Sequence, residues 1–203
     1  MFDLRLRHVK ERAVSPLVDR MPRAVTPRLL TLTGFILCVA AAAAAWQVWS
    51  AIAVACWLAC RTLDGLDGAV ARHRGTASDL GGYGDVLLDS VGYAMIPLGV
   101  AFGADDPTTW TVTAVLIATF YVNSASWLML SALLEKRAHG TVERGESTSV
   151  TMPAGLIEGA ETVVIFTVAL AVPSIAVWCF GAMAIGVAIS VIQRAVAAKS
   201  VLA

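Results

Sequence analysis

The stretch L-D-G-L-D-G-A-V-A-R-H-R-G-T-A-S-D-L-G-G-Y-G-D-V-L-L-D-S, Leu63 to Ser90, places five aspartates in one window of an otherwise apolar chain. Asp64 and Asp67 are three residues apart, and Asp85 and Asp89 are four apart. Each pair therefore falls on one helical face. The surrounding sequence decides what kind of helix carries them.

Of the 203 residues, 58% are hydrophobic and the mean hydropathy is +0.74. Soluble domains of this size are usually about 45–50% apolar. No charged residue occurs from Leu29 to Cys60, from Pro107 to Leu134 or from Thr162 to Gln193. Since a spanning helix needs about 20 apolar residues, the chain reads as an all-α, polytopic membrane protein. Spans are expected at 26–46, 49–72, 80–103, 109–134, 152–172 and 174–196. The first break falls at Trp46–Ser50 and the last at Val172-Pro173-Ser174. With six spans, all 15 Lys and Arg residues fall on one side or at helix ends facing it. That side is expected to be cytoplasmic, with both termini on it, as in a prokaryotic plasma membrane. A five-span alternative would merge 29–60 into a helix of about 48 Å and would scatter the Arg residues.

Trp46, Trp49, Trp110 and Trp178 then lie near the outer interface, which favours tryptophan; core packing is the competing role. Phe2, Leu6, Val9, Ala13 and Leu17 line one face of the basic N-terminal segment. They predict a short amphipathic juxtamembrane helix over residues 1–25, followed by the membrane domain over 26–203. A solvated arm is the alternative, and a cleaved signal peptide is not expected. Cys38, Cys56, Cys60 and Cys179 fall inside spans and are expected to pack as small hydrophobes. No feature points to a nucleic-acid partner.

Only about 15 apolar residues precede Asp64 in the second span, so Asp64 and Asp67 sit near its cytoplasmic end, with Gly68 and Ala71 beside them. Ser78 is a candidate N-cap for the third span. On that span Gly81, Asp85 and Asp89 form a stripe that Gly92 continues. Small residues let helices approach closely and leave room for a ligand. An acid within a membrane helix costs about 2.5–3.5 kcal/mol at the centre, and four together repel. Protonation would relieve this, as would pairing with Arg61, Arg72 or Arg74. Divalent cations do so more completely: oxygen donors on two facing helices suit Mg²⁺ or Mn²⁺. Four carboxylates can hold two ions, the usual arrangement for phosphoryl displacement. The plainer alternative is that the acids anchor helix ends at the interface.

Asp64-x-x-Asp67-Gly68-x-x-Ala71-Arg72, eight residues, then Gly81-x-x-x-Asp85-x-x-x-Asp89 resembles the signature of the CDP-alcohol phosphotransferases at all eight specified positions. These integral membrane enzymes make phospholipids, and the six-span layout is similar to theirs. The resemblance implies transfer from a CDP-linked lipid alcohol, such as CDP-diacylglycerol, to a small hydroxyl acceptor with release of CMP. It implies Asp64, Asp67, Asp85 and Asp89 as metal ligands, with Asp89 also the catalytic base. Gly68, Ala71 and Gly81 would make room for the nucleotide, and Arg72 would bind the diphosphate. It further implies a homodimer. Thr26-Pro27-Arg28-Leu29-Leu30-Thr31 resembles the family's Pro-Asn-x-x-Thr pattern, with Arg28 where Asn is usual, which puts that contact in doubt. Thr31 is placed to hydrogen-bond near the site, or to serve as an N-cap.

Glu158 and Glu161 are expected on one face about two turns into the fifth span, where they would contact an amine-bearing acceptor or orient neighbours. A phosphorylated acceptor would instead want a basic pocket, for which Lys136, Arg137, His139, Arg144 and Arg194 are candidates; positive-inside topology explains them equally. His8 and His73 read as surface residues, and Ser147-Thr148-Ser149 as a helix start. A divalent-cation channel and an inactive scaffold of the same fold are the rival readings. The channel predicts acids through the membrane depth, and the outer side offers only Asp105 and Asp106.

Overall fold

The computed structural model describes residues 18–137 and 155–202. Residues 1–17 of the juxtamembrane segment expected over 1–25 lie outside the described residues, as do His139, Arg144 and Ser147-Thr148-Ser149. Every element within them is helical: α1 (Pro27–Trp46), α2 (Ser50–His73), α3 (Asp79–Ala104), α4 (Pro107–Lys136), α5 (Gly159–Ala171), a 3₁₀ turn (Pro173–Ile175) and α6 (Ala176–Leu202). Four of these, Pro27–Trp46, Asp79–Ala104, Pro107–Lys136 and Pro173–Lys199, are long and apolar enough to cross a membrane. Two expected spans fall short of that measure. In α2 the charges from Arg61 to Arg72 dilute the apolar run. In α5 only 13 residues are helical, about 20 Å at 1.5 Å per residue.

Local chemistry sets the boundaries. The Thr26 hydroxyl accepts from the Leu29 N–H (3.2 Å) and Pro27 opens α1, a favoured pairing of cap and first residue. At the other end Val48 adopts a left-handed conformation (φ 58°). The Trp49 N–H then reaches back to the Ala44 carbonyl at 2.8 Å, closing the helix as a Schellman-type stop. This is the W-Q-V-W-S break that divides the first two spans. Ser78 caps α3 by accepting from the Gly81 N–H at 3.2 Å. Asp106 caps α4, accepting from the Thr109 N–H at 2.8 Å. That bond and one from the Thr109 hydroxyl hold its carboxyl below the ordinary range.

The fifth helix corrects the expectation of a span from 152. It starts at Gly159, with Glu158 as N-cap and Glu161 at the third position in a reciprocal capping box. The Glu158 N–H donates to Glu161 at 3.0 Å. The two acids therefore serve the helix terminus and do not lie two turns inside a span. Residues 155–158 run on irregular backbone, tied down by Ser190, whose hydroxyl accepts from the Leu156 and Ile157 N–H groups at 2.8 and 2.9 Å.

Packing follows the small residues. Helix α1 buries Ala41, Ala42, Ala44 and Ala45 and packs on both α2 and α3. Opposite it, α3 presents Gly92, Gly99 and Gly103. A Cβ on Gly99 would stand 2.4 Å from the Ala42 carbonyl oxygen, and one on Gly103 2.5 Å from that of Ala45. The α1–α3 contact is thus backbone to backbone, as expected for small-residue stripes. Gly99→Ala is expected to cost about 1–3 kcal/mol through overpacking, read as a lower unfolding midpoint in detergent; an unchanged midpoint would contradict this packing.

The other half of the molecule pairs α4 with α6. Short as it is, α5 joins the halves through Phe166, which is fully buried. Its ring lies 5.6 Å from Trp57 of α2, 6.3 Å from Tyr93 of α3, 6.3 Å from Phe120 of α4 and 6.0 Å from Phe180 of α6. Tilted and edge-on aromatic contacts of this kind add to the area they bury. The helices therefore meet around an aromatic centre, and the aspartates lie beyond it toward the C-terminus of α2.

Candidate active site

The C-terminal half of α2 and the N-terminal half of α3 are joined by a turn at 74–78. Gly75 takes a positive φ of 64° there, which glycine adopts without strain. The Arg74 guanidinium fixes the turn against the chain ahead of α1, donating to the Val25 carbonyl at 2.6 Å and to Pro22 at 3.2 Å. His73 meets Asp19 at 2.8 Å. The two aspartate-bearing helices each pack on α1 and face one another across a cleft.

Asp64, Asp67 and Asp85 converge: one carboxylate oxygen from each lies within 4.8 Å of the others. Asp67 is the most enclosed, only 6% exposed, and accepts a 2.5 Å hydrogen bond at Oδ2 from the Thr31 hydroxyl of α1. A cleft opens on these groups. It is lined by Thr31, Gly34, Phe35 and Cys38 from α1, Cys60, Arg61, Asp64 and Asp67 from α2, and Asp85, Leu88 and Asp89 from α3. Three hard oxygen donors at this separation fit a divalent cation. Thr31 supplies the kind of outer hydrogen bond that orients a ligating carboxylate.

The fourth aspartate stands apart from the three. Asp89 Oδ1 accepts from Arg61 Nη1 at 2.8 Å, and the same nitrogen lies 3.6 Å from Asp64 Oδ2. Arg61 is 12% exposed. Its guanidinium lies over the Trp57 ring, 4.9 Å from the centroid, and 5.7 Å from that of Tyr93. Arg61 is the residue that sequence reasoning passed over, noting it only as a nearby charge. Its signal was present: it precedes Asp64 by three positions and follows Trp57 by four, so all three share a helix face.

The remaining expected residues are placed as follows. Arg72 is exposed, and its Nη1 would stand 3.1 Å from a Cβ on Gly68, so the side chain lies along that glycine. Ala71 is half-buried and Gly81 exposed at the first turn of α3. None of these four lines the cleft of the aspartates. Asp79 is exposed in the first turn of α3 and stays outside the cluster. Arg28 is exposed and outside the cleft. All four cysteines are free thiols, with Cys38 and Cys60 buried at the cleft. Of the basic candidates, Lys136 and Arg137 are exposed. Arg194 is 5% exposed, donates to Asn123 Oδ1 at 2.9 Å and, among the described residues, its buried Nε has no hydrogen-bond partner.

The helical bundle thus brings clustered acids from two helices into one cleft. The family profile described as CDP-alcohol phosphatidyltransferase matches residues 24–192, and the chain belongs to that family. It is accordingly a multi-pass membrane transferase of substituted phosphate groups acting in phospholipid synthesis. Among similar proteins is the inner membrane protein YnjF of Escherichia coli, 34% identical over 174 residues, 83% of this chain and 82% of that protein. Another is the archaetidylinositol phosphate synthase of Methanothermobacter thermautotrophicus, 33% identical over 160 residues, 78% of this chain and 72% of that one. In fold the chain is similar to the phosphatidylinositol phosphate synthase of Mycobacterium tuberculosis. The crystal structure with CDP-DAG bound superposes with a TM-score of 0.73 at 21% identity, covering 92% of this chain and 94% of that one. The form in complex with manganese and citrate gives 0.68 at 20% identity, covering 93% and 87%.

Proposed function

We propose that the protein transfers a phosphatidyl group from a CDP-alcohol such as CDP-diacylglycerol to the hydroxyl of a small phosphorylated polyol, inositol phosphate being the leading candidate, with release of CMP. The observation that carries the transfer is the convergence of Asp64, Asp67 and Asp85 beside the Arg61–Asp89 pair, in one cleft. The acceptor hydroxyl forms a new bond to the phosphorus bearing the lipid. The bond from that phosphorus to the CMP oxygen breaks, and CMP leaves with the electron pair. The hydroxyl proton passes to Asp89, whose Oδ1 is held by Arg61. A divalent cation, Mg²⁺ or Mn²⁺, held by Asp64, Asp67 and Asp85 would supply Lewis-acid charge for the diphosphate. Arg72 would meet the diphosphate, and Gly68, Ala71 and Gly81 would make room for cytidine.

The acceptor is inferred from two facts. Relatives about a third identical are named archaetidylinositol phosphate synthases. Arg194 is a buried cation whose Nε has no partner among the described residues, a fitting counter-charge for a phosphate monoester. Glu158 and Glu161, the candidates for an amine-bearing acceptor, are engaged in capping α5. The same proposal takes α2 and α5 as crossings beside the four longer helices, giving six in the bilayer. It places the aspartates and both termini on the cytoplasmic side, residues 1–25 on the membrane surface ahead of the domain over 26–203, and the chain in a homodimer.

An acceptor screen tests it. Purified protein with Mn²⁺ and CDP-diacylglycerol should release CMP with inositol phosphate, more slowly with glycerol 3-phosphate, and not with inositol, serine or ethanolamine. Release with serine alone would overturn the acceptor assignment; no release with any acceptor or CDP-alcohol would overturn the reaction. Arg194→Gln is expected to raise KM for inositol phosphate by about tenfold or more, the worth of a charge-assisted hydrogen bond.

A further inference from the structure

Arg194 is framed by α6, by the backbone at 155–157 and by α4. On α6 it follows Gly186 and Ser190 at intervals of four, so the three share one face. The irregular backbone at 155–157 lies along that face. The Ser190 hydroxyl holds the Leu156 and Ile157 N–H groups, and a Cβ on Gly186 would stand 2.7 Å from Ile157 Cγ1. A Cβ on Gly155 would stand 2.9 Å from Ser190 Cβ and 3.3 Å from Arg194 Nη2. From α4, Asn123 Oδ1 accepts a hydrogen bond from Arg194 Nη1 at 2.9 Å. That partner is a neutral amide. Among the described residues no carboxylate forms an ion pair with Arg194, although it is only 5% exposed. A buried cation left uncompensated is costly. The guanidinium is a rigid planar fork. With Nη1 given to Asn123, the edge that remains is Nε and Nη2, and the buried Nε has no partner among the described residues.

We infer that Asn123 is a positioning residue that sets acceptor specificity: it turns the Nε–Nη2 edge of Arg194 toward the acceptor's phosphate monoester. This rests on the reading that Arg194 meets that phosphate. An oxyanion can accept from both nitrogens of that edge at once, the geometry in which arginine binds phosphate most strongly. The neutrality of the partner matters as much as its position. An amide oxygen fixes Nη1 and leaves the positive charge available. A carboxylate at the same place would fix Nη1 equally well but would engage the cation in an internal pair, and an incoming phosphate would then have to compete with it. Asn123 thus acts through Arg194 and touches no reacting atom.

Asn123→Asp tests this, because it keeps the shape and the hydrogen-bond acceptor and adds only a charge. CMP release by the purified full chain should show a KM for inositol phosphate raised about tenfold or more. Its kcat at saturating acceptor and its KM for CDP-diacylglycerol should stay within about twofold of wild type. A merely structural bond to Arg194 would survive this change and leave all three constants alone. Should Asn123→Asp not fold, Asn123→Ala decides through a double-mutant cycle with Arg194→Gln. Asn123→Ala alone should raise the acceptor KM by about threefold or more, and it should add nothing once Arg194 is Gln. Additive effects, or an Asn123→Asp enzyme with an unchanged acceptor KM while Arg194→Gln raises it, would overturn the inference and leave the role of Arg194 standing. A raised KM for CDP-diacylglycerol with an unchanged acceptor KM would assign the edge to the donor's diphosphate and overturn it too. An acceptor KM that Arg194→Gln leaves unchanged, or no turnover with inositol phosphate, would overturn the reading of Arg194 itself, and this inference with it.

Discussion

Asp67→Asn is expected to lower CMP release by on the order of a thousandfold, the scale of losing one preorganised group that stabilises transition-state charge. The position is suited to the test because its surroundings can survive the change. Asparagine keeps an oxygen to accept the hydrogen bond from Thr31, and its volume matches the 6% exposed pocket. What it removes is one negative charge from a three-carboxylate set whose oxygens lie within 4.8 Å. The same variant should therefore bind Mn²⁺ at least tenfold more weakly while its unfolding midpoint stays near that of wild type. Turnover within tenfold of wild type, with Mn²⁺ still bound, would show that Asp67 is buried for packing and not for cation binding.

How far the sequence foretold this site depends on which contacts are local. The Asp64/Asp67 and Asp85/Asp89 spacings, the Ser78 cap and the Trp46–Ser50 break all follow from residues within a turn or two of one another. Each is found where helical geometry puts it. Thr31 was legible only as a candidate, since its partner Asp67 is 36 residues away. Arg61 shows the limit. Helical spacing put it beside Asp64, but the pairing with Asp89 crosses between α2 and α3 and depends on how those helices rotate about their axes.

Glu158 and Glu161 mislead in the opposite way. An apolar run extends on both sides of them, and apolarity alone does not distinguish a helix from the irregular 155–158 backbone that Ser190 secures from α6. Glu161 suits the third position of a capping box, but Glu158 is not one of the residues that usually open one. A capping box needs acids at an exposed helix start, whereas a membrane reading makes acids look buried. Here the capping geometry decides, because the first N–H groups of α5 have no helical partners of their own.

Asp89→Asn should separate the two halves of the site. It is expected to lose CMP release by about a hundredfold to ten-thousandfold, the range for removing a positioned general base, while keeping its bound Mn²⁺. The reason lies in the partition of the four carboxylates. Three face one another, whereas Asp89 faces Arg61 at 2.8 Å. Asparagine can still accept that hydrogen bond through its oxygen, so Arg61 stays seated over Trp57, but the amide cannot take up the acceptor's proton. The measurements are CMP release at saturating donor and acceptor, and Mn²⁺ affinity on the same preparation. If kcat falls and Mn²⁺ binding is unchanged, proton transfer and cation binding reside on different aspartates. If both fall together, Asp89 is a ligand and the separation fails. If neither falls, the base lies elsewhere in the cleft, and Asp89 serves to neutralise Arg61.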